Sequence, residues 1–522
     1  MTVKDNEWFR EKVENISTCD VFLVSTELKK LDRESRKNLY SHVDFSQFVN
    51  GLPAQLALGA GNEYFEAFAD LIIMLLEYKN PSEAFADLNV VCGNMLDHKH
   101  EKVREVGVSL LILTLDCGES HCLLSSPDYL SKVVKLASNT DLNAATPALT
   151  AISRLICKSP ENCRLFLLGP VGAALKADWE SASEVHRVRV YNLATEAACL
   201  SEEFLKIVVD SKILFFMQER LQNNNATSDP LSLMNIIECF AKLSKVEWGF
   251  NYLARSGTFV RLEDSLVSDN LGPMQSIIMP ELYELFGNLS QTVPEKILSE
   301  CPRFVPHILK SVPTASVSPH ITRAEIAMIG QVATQVPGKI YLSQQFAELE
   351  EFYAYLKYRA NSGVQEDKMC VLDTAAALLY LKPDEQSDAL CRLMNQWFEA
   401  IFTSVRRVHE KCAEPFPETV LPALQLLLVV SQQAWGRREM MATPGLFEWL
   451  LDREAACGVH KSTGSGGNPV VLRAKYDIVK VLNNSADLEL SLEQKDALAE
   501  FVKQGPFFKR GMYEVATEAP GN

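Results

Sequence analysis

Two short clusters combine residue types that would do chemistry if folded together. Cys117-Gly118-Glu119-Ser120-His121-Cys122 supplies two thiols and an imidazole, donors of the kind zinc takes. A zinc site needs four ligands, or three and a water. Only His98 and His100 stand near enough in sequence to help. A helix connection with incidental Cys and His is the plainer reading. Lys461-Ser462-Thr463 lies in a Gly-rich stretch and suggests a phosphate loop. That loop requires Gly directly before Lys, a second Gly upstream and a strand leading in. Here His460 precedes Lys461. The nine histidines form no HExxH pattern, and no G-x-S-x-G elbow is present. Glu202-Glu203 and Glu350-Glu351 read as solvated helix faces, because an acid/base pair needs one carboxylate desolvated. The expectation is no enzyme, no metal and no cofactor.

A different pattern suits binding. Small-polar-apolar triplets recur as Ser153-Arg154-Leu155, Ala241-Lys242-Leu243, Gly287-Asn288-Leu289 and Gly330-Gln331-Val332. Their middle residues are spaced 88, 46 and 43 apart, the first gap being two periods. Near the end of a helix lining a concave face, such side chains would bond an extended or helical partner. The plainer alternative is that they cap neighbouring helices or face water. Arg187 and Tyr191 stand four apart, on one helical face. They would offer a donor and an amphipathic ring, residue types enriched at binding hot spots. The arginines of Val103-Arg104 and Val188-Arg189 have a structural reading. Each would bond a neighbouring repeat's loop through its fork of donors.

What would position these residues is a repeat. A turn residue and then an apolar or aromatic one open a helical stretch at Pro127-Asp128-Tyr129-Leu130, Pro170-Val171-Gly172-Ala173, Ser211-Lys212-Ile213-Leu214, Gly257-Thr258-Phe259-Val260 and Pro302-Arg303-Phe304-Val305. The gaps are 43, 41, 46 and 45 residues. A weaker copy stands at Gln345-Phe346, and Pro444-Gly445-Leu446-Phe447 falls about two periods later. HEAT and armadillo arrays repeat every 40–47 residues or so. One such unit cannot bury its apolar face alone, so units stack. The expected fold is all-α, a curved HEAT/armadillo-like α-solenoid over residues 1–510 with a concave binding face.

Helical periodicity supports this. Asn143 to Ile156, with Pro147 as a start signal, Phe204 to Leu221, Leu231 to Leu243, Met279 to Leu289 and Leu421 to Val430 each read as a helix. Residues 222–230 form a polar loop and a candidate seam between two lobes. Residues 311–320 are interrupted by proline. Residues 456–469 form a Gly/Ser-rich flexible loop, and 511–522 a disordered tail.

Composition narrows the partner. The 522 residues are 47% hydrophobic and 23% charged, ordinary for a folded soluble protein. A net charge of −16 argues against nucleic acid, which requires a basic surface. It suits a basic protein partner, or solubility alone. The 13 cysteines are an odd number. Cys157, Cys199, Cys239 and Cys370 sit in apolar stretches, as small buried hydrophobes do. The polar start, Met1 to Arg10, is no secretory signal, and the apolar runs are too short to span a bilayer. A cytosolic or nuclear protein, monomeric when free and with no membrane partner, is expected.

Five segments carry a family resemblance. The first is Arg187-Val188-Arg189-Val190-Tyr191, and the second is Phe286-Gly287-Asn288-Leu289 with Cys301-Pro302-Arg303-Phe304-Val305. The third joins Leu372-Asp373, Leu378-Leu379-Tyr380-Leu381, residues 383–388 and Trp397-Phe398. The fourth joins Pro415-Phe416-Pro417-Glu418, Trp435, Pro444-Gly445 and Asp452-Arg453; Ala474-Lys475-Tyr476 and Gly505-Pro506-Phe507-Phe508 close the set. Together they resemble the 26S proteasome non-ATPase regulatory subunit 5 family, in order over about residues 185–510. The stretch before Ala474 is longer than that family's pattern. The resemblance implies an assembly chaperone of the regulatory-particle base. Such a protein binds the C-terminal domain of one AAA+ ATPase subunit. It holds a module with a second ATPase and a large non-ATPase scaffold subunit, then leaves before the particle matures. The residues expected at the partner are Arg154, Lys242, Asn288, Gln331 and Tyr380, with Arg187 and Tyr191. Pro415, Phe416, Pro417, Trp435, Lys475 and Tyr476 are expected to define the fold. The competing readings are an importin-like armadillo adaptor and a phosphatase or ligase scaffold. Importin grooves carry Trp-Asn pairs in successive helices, and the six tryptophans here form no such ladder.

Overall fold

The computed structural model describes residues 6–18, 20–40, 45–58, 61–76, 81–116, 126–139, 141–177, 183–222, 229–268, 275–314, 318–414, 417–453 and 468–508. Residues 117–122, 454–467 and 509–522 lie outside this set. So do the expectations placed on the Cys117–Cys122 cluster, on Lys461, on most of the Gly/Ser-rich loop and on the tail. The described residues form helices and turns, with no strand among them. Two compact units divide the chain, Met1–Thr258 and Phe259–Asn522. The 222–230 segment falls inside the first unit, and residues 223–228 of it are not described.

In the first unit, three-helix repeats begin at Leu142. A long helix comes first and two shorter ones follow: Leu142–Lys158, Pro160–Leu168 and Pro170–Ala177, then Glu184–Ala198, Glu202–Asp210 and Ile213–Gln222, then Pro230–Ser244 and Glu247–Arg255. Each long helix packs on the next, continuing a row begun by Val21–Lys30, Asn62–Leu76 and Glu101–Asp116. The second unit repeats the plan. Its long helices are Gln275–Thr292, Pro319–Val332, Gln365–Leu379, Pro417–Ser431 and Pro469–Asn483, again stacked in order. Each unit is by itself a stretch of HEAT/armadillo-like α-solenoid.

The recurring turn motif marks the third helix of each repeat. Third helices begin at Pro170, Ile213, Thr258, Phe304, Phe346 and Leu446. A further copy, hidden in the two-period gap, is Thr403-Ser404 before the helix Val405–Cys412. The chain must reverse sharply between second and third helices. Lys212, Gly257 and Thr403 do so at φ 69° and Gly445 at φ 79°, the left-handed region that costs an L-residue about 1–2 kcal/mol. The preceding corner has its own signature. Gly249, Gly338 and Gly436 lie against the carbonyl oxygens of Leu243, Val332 and Val430, six residues earlier, where an added Cβ would come within 2.0, 1.8 and 2.1 Å.

Two expected helix boundaries are corrected. The continuous helix over Phe204–Leu221 is two helices, because Lys212 turns left-handed between them. Pro147 does not start its helix. It lies inside Leu142–Lys158, whose start is capped by Asp141 accepting from the Asn143 amide; at the sixth helical position proline leaves the Asn143 carbonyl without its i+4 donor.

Long helices have neighbours on both sides, so they bury wide stripes. Gln365–Leu379 buries Val371, Leu372, Ala375, Leu378 and Leu379, each large aliphatic chain being worth about 1.5–3 kcal/mol. Carbonyls left free at helix ends and in the turns that follow are met by side chains. Arg189 donates to Ala137 O at 2.7 Å and Asn139 O at 2.5 Å. Arg104 donates to His98 O and Lys99 O at 3.0 and 2.8 Å. Arg189 thus has the role its Val-Arg pair suggested, across a repeat; Arg104 instead bonds the turn that enters its own helix, six and five residues back. Trp248 donates to Ala198 O at 2.9 Å, and Gln433 to Leu379 O at 2.7 Å. No described helix is long and apolar enough to cross a membrane.

Candidate functional site

The candidate residues fall in two groups, one per unit. In the first, Arg154 and Lys242 are exposed near the ends of Leu142–Lys158 and Pro230–Ser244. Lys242 pairs with Glu238 at 3.0 Å, which raises the lysine above its ordinary value. The helix between them carries the missing rung. Glu196 lies 42 residues after Arg154 and 46 before Lys242, exposed on Glu184–Ala198. Its carboxylate accepts from Ser153 Oγ at 2.8 Å. The sequence pattern passed over it because Thr195-Glu196-Ala197 lacks a large apolar third residue; the 88-residue gap was the signal that could have found it.

Arg187 and Tyr191 do not form a presenting surface. Tyr191 is only 2% exposed, and burial pushes its phenol up to about 12. Its helix also buries Val190, Ala194, Thr195, Ala197 and Ala198, because long helices stack on both sides of it. Arg187 is half-buried and donates to Glu184 at 2.9 Å. The same carboxylate accepts from Arg220 at 2.7 Å and from Ser232 at 3.0 Å. Spacing put the two residues on one face, and that face is turned into the repeat stack.

In the second unit, Asn288 and Gln331 are half-exposed. Gln331 lies across Gly287, where an added Cβ would stand 1.6 Å from its Oε1. Gly330 in turn lies 3.2 Å, from an added Cβ, to Thr374 Cα. The small member of each triplet therefore lets consecutive long helices approach. Tyr380 is not a rung. It lies beyond Gln365–Leu379 as its C-cap, and Ala377 holds the register 46 residues after Gln331.

Charge is sorted on this side. On the four long helices from Gln275–Thr292 to Pro417–Ser431, the exposed side chains that carry charge are Glu284, Glu366, Asp373 and Glu418, all acidic. The cations there are engaged: Arg323 with Asp367 at 3.1 Å and Lys368 with Glu414 at 3.2 Å. Partial desolvation raises the Asp373 carboxyl above its ordinary value. Unpaired carboxylates on stacked helices suit a basic protein surface.

No group of three His, Cys, Asp or Glu among the described residues is placed to hold a metal ion. Burial pushes the Cys239 and Cys370 thiols up to about 11, away from the thiolate a nucleophile needs. Cys239 is buried as expected, whereas Cys157, Cys199 and Cys370 are half-buried.

The sequence model of the family described as proteasome non-ATPase 26S subunit matches residues 5–522. The chain belongs to that family. Among its relatives, 26S proteasome non-ATPase regulatory subunit 5 of Homo sapiens is 24% identical over 452 residues, covering 85% of this chain and 86% of the human protein. The Drosophila melanogaster protein of the same name is 22% identical over 347 residues, covering 65% of this chain and 64% of its own. Among solved structures, Kap121p aligns with a TM-score of 0.56 at 10% identity over 95% of this chain. The karyopherin Kap121p bound to the SUMO protease Ulp1p aligns with 0.56 at 11% identity over 96%. This chain spans about half of Kap121p, 51% and 53% in the two cases, and the likeness is one of fold.

Four of the residues that carried the family resemblance serve packing. Lys475 is buried, donates to Trp449 O and Asp452 O at 3.0 and 3.1 Å, and lies 3.7 Å over the Trp449 ring. Arg453 stacks on Phe501 at 3.9 Å and donates to Gly505 O at 3.0 Å. Trp435 packs on Phe398 with ring centres 5.3 Å apart. Tyr476 is half-buried, its hydroxyl on Val502 O at 3.4 Å. Pro415 and Phe416 lie outside the described residues.

Proposed function

We propose that this protein is a non-enzymatic assembly chaperone for the base of the 26S proteasome regulatory particle. In this reading it binds the C-terminal domain of one AAA+ ATPase subunit, within a module containing a second ATPase and a large non-ATPase scaffold subunit. It works in the cytoplasm or nucleus as a monomer and is released before the particle is complete. Family membership supports the proteasomal context. The observation that carries the binding mode is the acidic set Glu284, Glu366, Asp373 and Glu418, exposed on stacked long helices with the nearby cations already paired. A basic face of a folded domain would gain from these carboxylates and lose affinity with salt. Release then follows from steric competition, as neighbouring subunits claim the same ATPase surface.

The test is purification of the tagged protein from growing cells with its partners identified. Two ATPases and one large scaffold subunit, without the proteolytic core, are expected. With purified components, Glu366→Lys together with Asp373→Lys should weaken the ATPase C-terminal domain at least tenfold, or about 1.4 kcal/mol. Recovery of transport receptors with basic cargo, or unchanged affinity in the folded double variant, would sink the reading.

A further inference from the structure

A second surface lies on the second helices of two successive repeats in the first unit. Glu202–Asp210 and Glu247–Arg255 enclose an open groove of about 470 Å³. Its apolar floor is Leu205 and Val209 on one wall, Trp248 and Tyr252 on the other. The indole N–H of Trp248 is spent on Ala198 O at 2.9 Å, which fixes the ring as a floor. Tryptophan, tyrosine and arginine are the residues most enriched where binding energy concentrates.

The groove is polarised along its length. At the N-terminal ends of its walls stand Glu202 and Glu247, and Glu203 is exposed beside them. Lys206 is tied back to Glu202 at 3.0 Å. At the C-terminal ends stand Asp210 and Arg255, both exposed, and neither side chain makes a hydrogen bond or ion pair among the described residues. Asp210 is also at the wrong end of its own helix, where the dipole disfavours an anion.

We propose that the groove docks a short amphipathic α-helix of a partner protein, running antiparallel to its two walls. That direction satisfies each feature at once. The partner's N-terminal turn brings free backbone N–H groups to Asp210, and the acidic side chain common there to Arg255. Its C-terminal turn brings basic side chains to Glu202 and Glu247. Its apolar stripe at i, i+3 and i+4 fills the space over Trp248 and Val209, the helix-in-groove mode. A wall of nine residues is about 13 Å long, so two to three turns are engaged. This reading stands apart from the ATPase interface, since it uses other helices and other residues.

Two synthetic probes test it with the full chain. Each is a fluorescein-labelled fourteen-residue helical peptide of about the needed length with one leucine stripe. One carries Glu in its first turn and Lys in its last; the other has these charges exchanged. Fluorescence anisotropy should show the first binding roughly tenfold more tightly than the second. Arg255→Glu should remove or invert the preference, and Val209→Asp should abolish binding of both. Arg255 is exposed, so its variant keeps the fold, which circular dichroism checks. Equal binding of the two peptides, no binding of either, or a folded Arg255→Glu chain with the wild-type preference overturns the proposal.

Discussion

Gly338 rests on the backbone carbonyl of Val332, so closely that a Cβ on the glycine would stand 1.8 Å from that oxygen. Gly249 on Leu243 and Gly436 on Val430 repeat the relation at 2.0 and 2.1 Å. The obstacle is main chain, which cannot swing aside as a side-chain tip can. Gly338→Ala should therefore cost about 1–3 kcal/mol, outweighing the roughly 1 kcal/mol that alanine gains inside a helix. A thermal midpoint at or above wild type would contradict this packing.

Lys339, the next residue, is fully buried and donates to Ala333 O, Ala377 O and Leu378 O at 2.5, 3.1 and 2.6 Å. Burial pulls its ammonium down to about 7, against about 10.4 in an unfolded chain. Between those values the unfolded chain binds the extra proton, so stability rises with pH. The wild type should gain thermal stability from pH 6.5 to pH 9 relative to Lys339→Met. A difference that is flat, or that falls with pH, counts against the assignment.

Arg189 closes two carbonyls of the preceding repeat. Hydrogen bonds from a charged donor are worth about 1.5–3 kcal/mol each. Arg189→Ala should lose about 2–4 kcal/mol, less than twice that value because the bond to Asn139 O is solvent-exposed. Lysine should restore little, because one ammonium cannot reproduce the guanidinium fork. Chemical denaturation of the three proteins distinguishes this from a surface arginine, whose loss would be nearly silent.

Thr403 holds φ 69° with a β-branched side chain. Thr403→Gly should stabilise the chain by about 1 kcal/mol, by relieving the left-handed strain net of glycine's greater unfolded freedom. The opposite sign in a denaturation experiment would mean that the turn is held by the threonine itself.

Tyr191 tests the corrected part of the candidate site. A 2% exposed aromatic replaced by alanine should cost about 3–5 kcal/mol, while exposed Arg154→Ala should change stability by under about 0.5 kcal/mol. If Tyr191→Ala melts with the wild type, the ring is not in the core.

The repeat was legible before any fold was known. A turn residue followed by an apolar one falls every 41 to 46 residues from Pro127 to Pro302, and the third helices begin at or within two residues of those marks. The Val188-Arg189 pair was equally readable, since an arginine on a stacked helix has carbonyls of the preceding repeat within reach. Where reading failed, the cause was ambiguity of face. Spacing by four places Arg187 and Tyr191 together but does not say whether that side meets solvent or another helix. The fourfold acidic set was equally hidden. Glu284, Glu366, Asp373 and Glu418 follow no local motif, and Arg323 and Lys368 look equally free until Asp367 and Glu414 arrive from other turns.

The sequence alone determined that this is an all-helical repeat protein of the proteasome non-ATPase subunit family, because period, capping and turn chemistry are local and survive without knowledge of neighbours. The tertiary structure alone decided which polar side chains remain for a partner. Whether a charge is exposed, paired or buried depends on residues some 40 positions away, brought alongside only when one repeat stacks on the next.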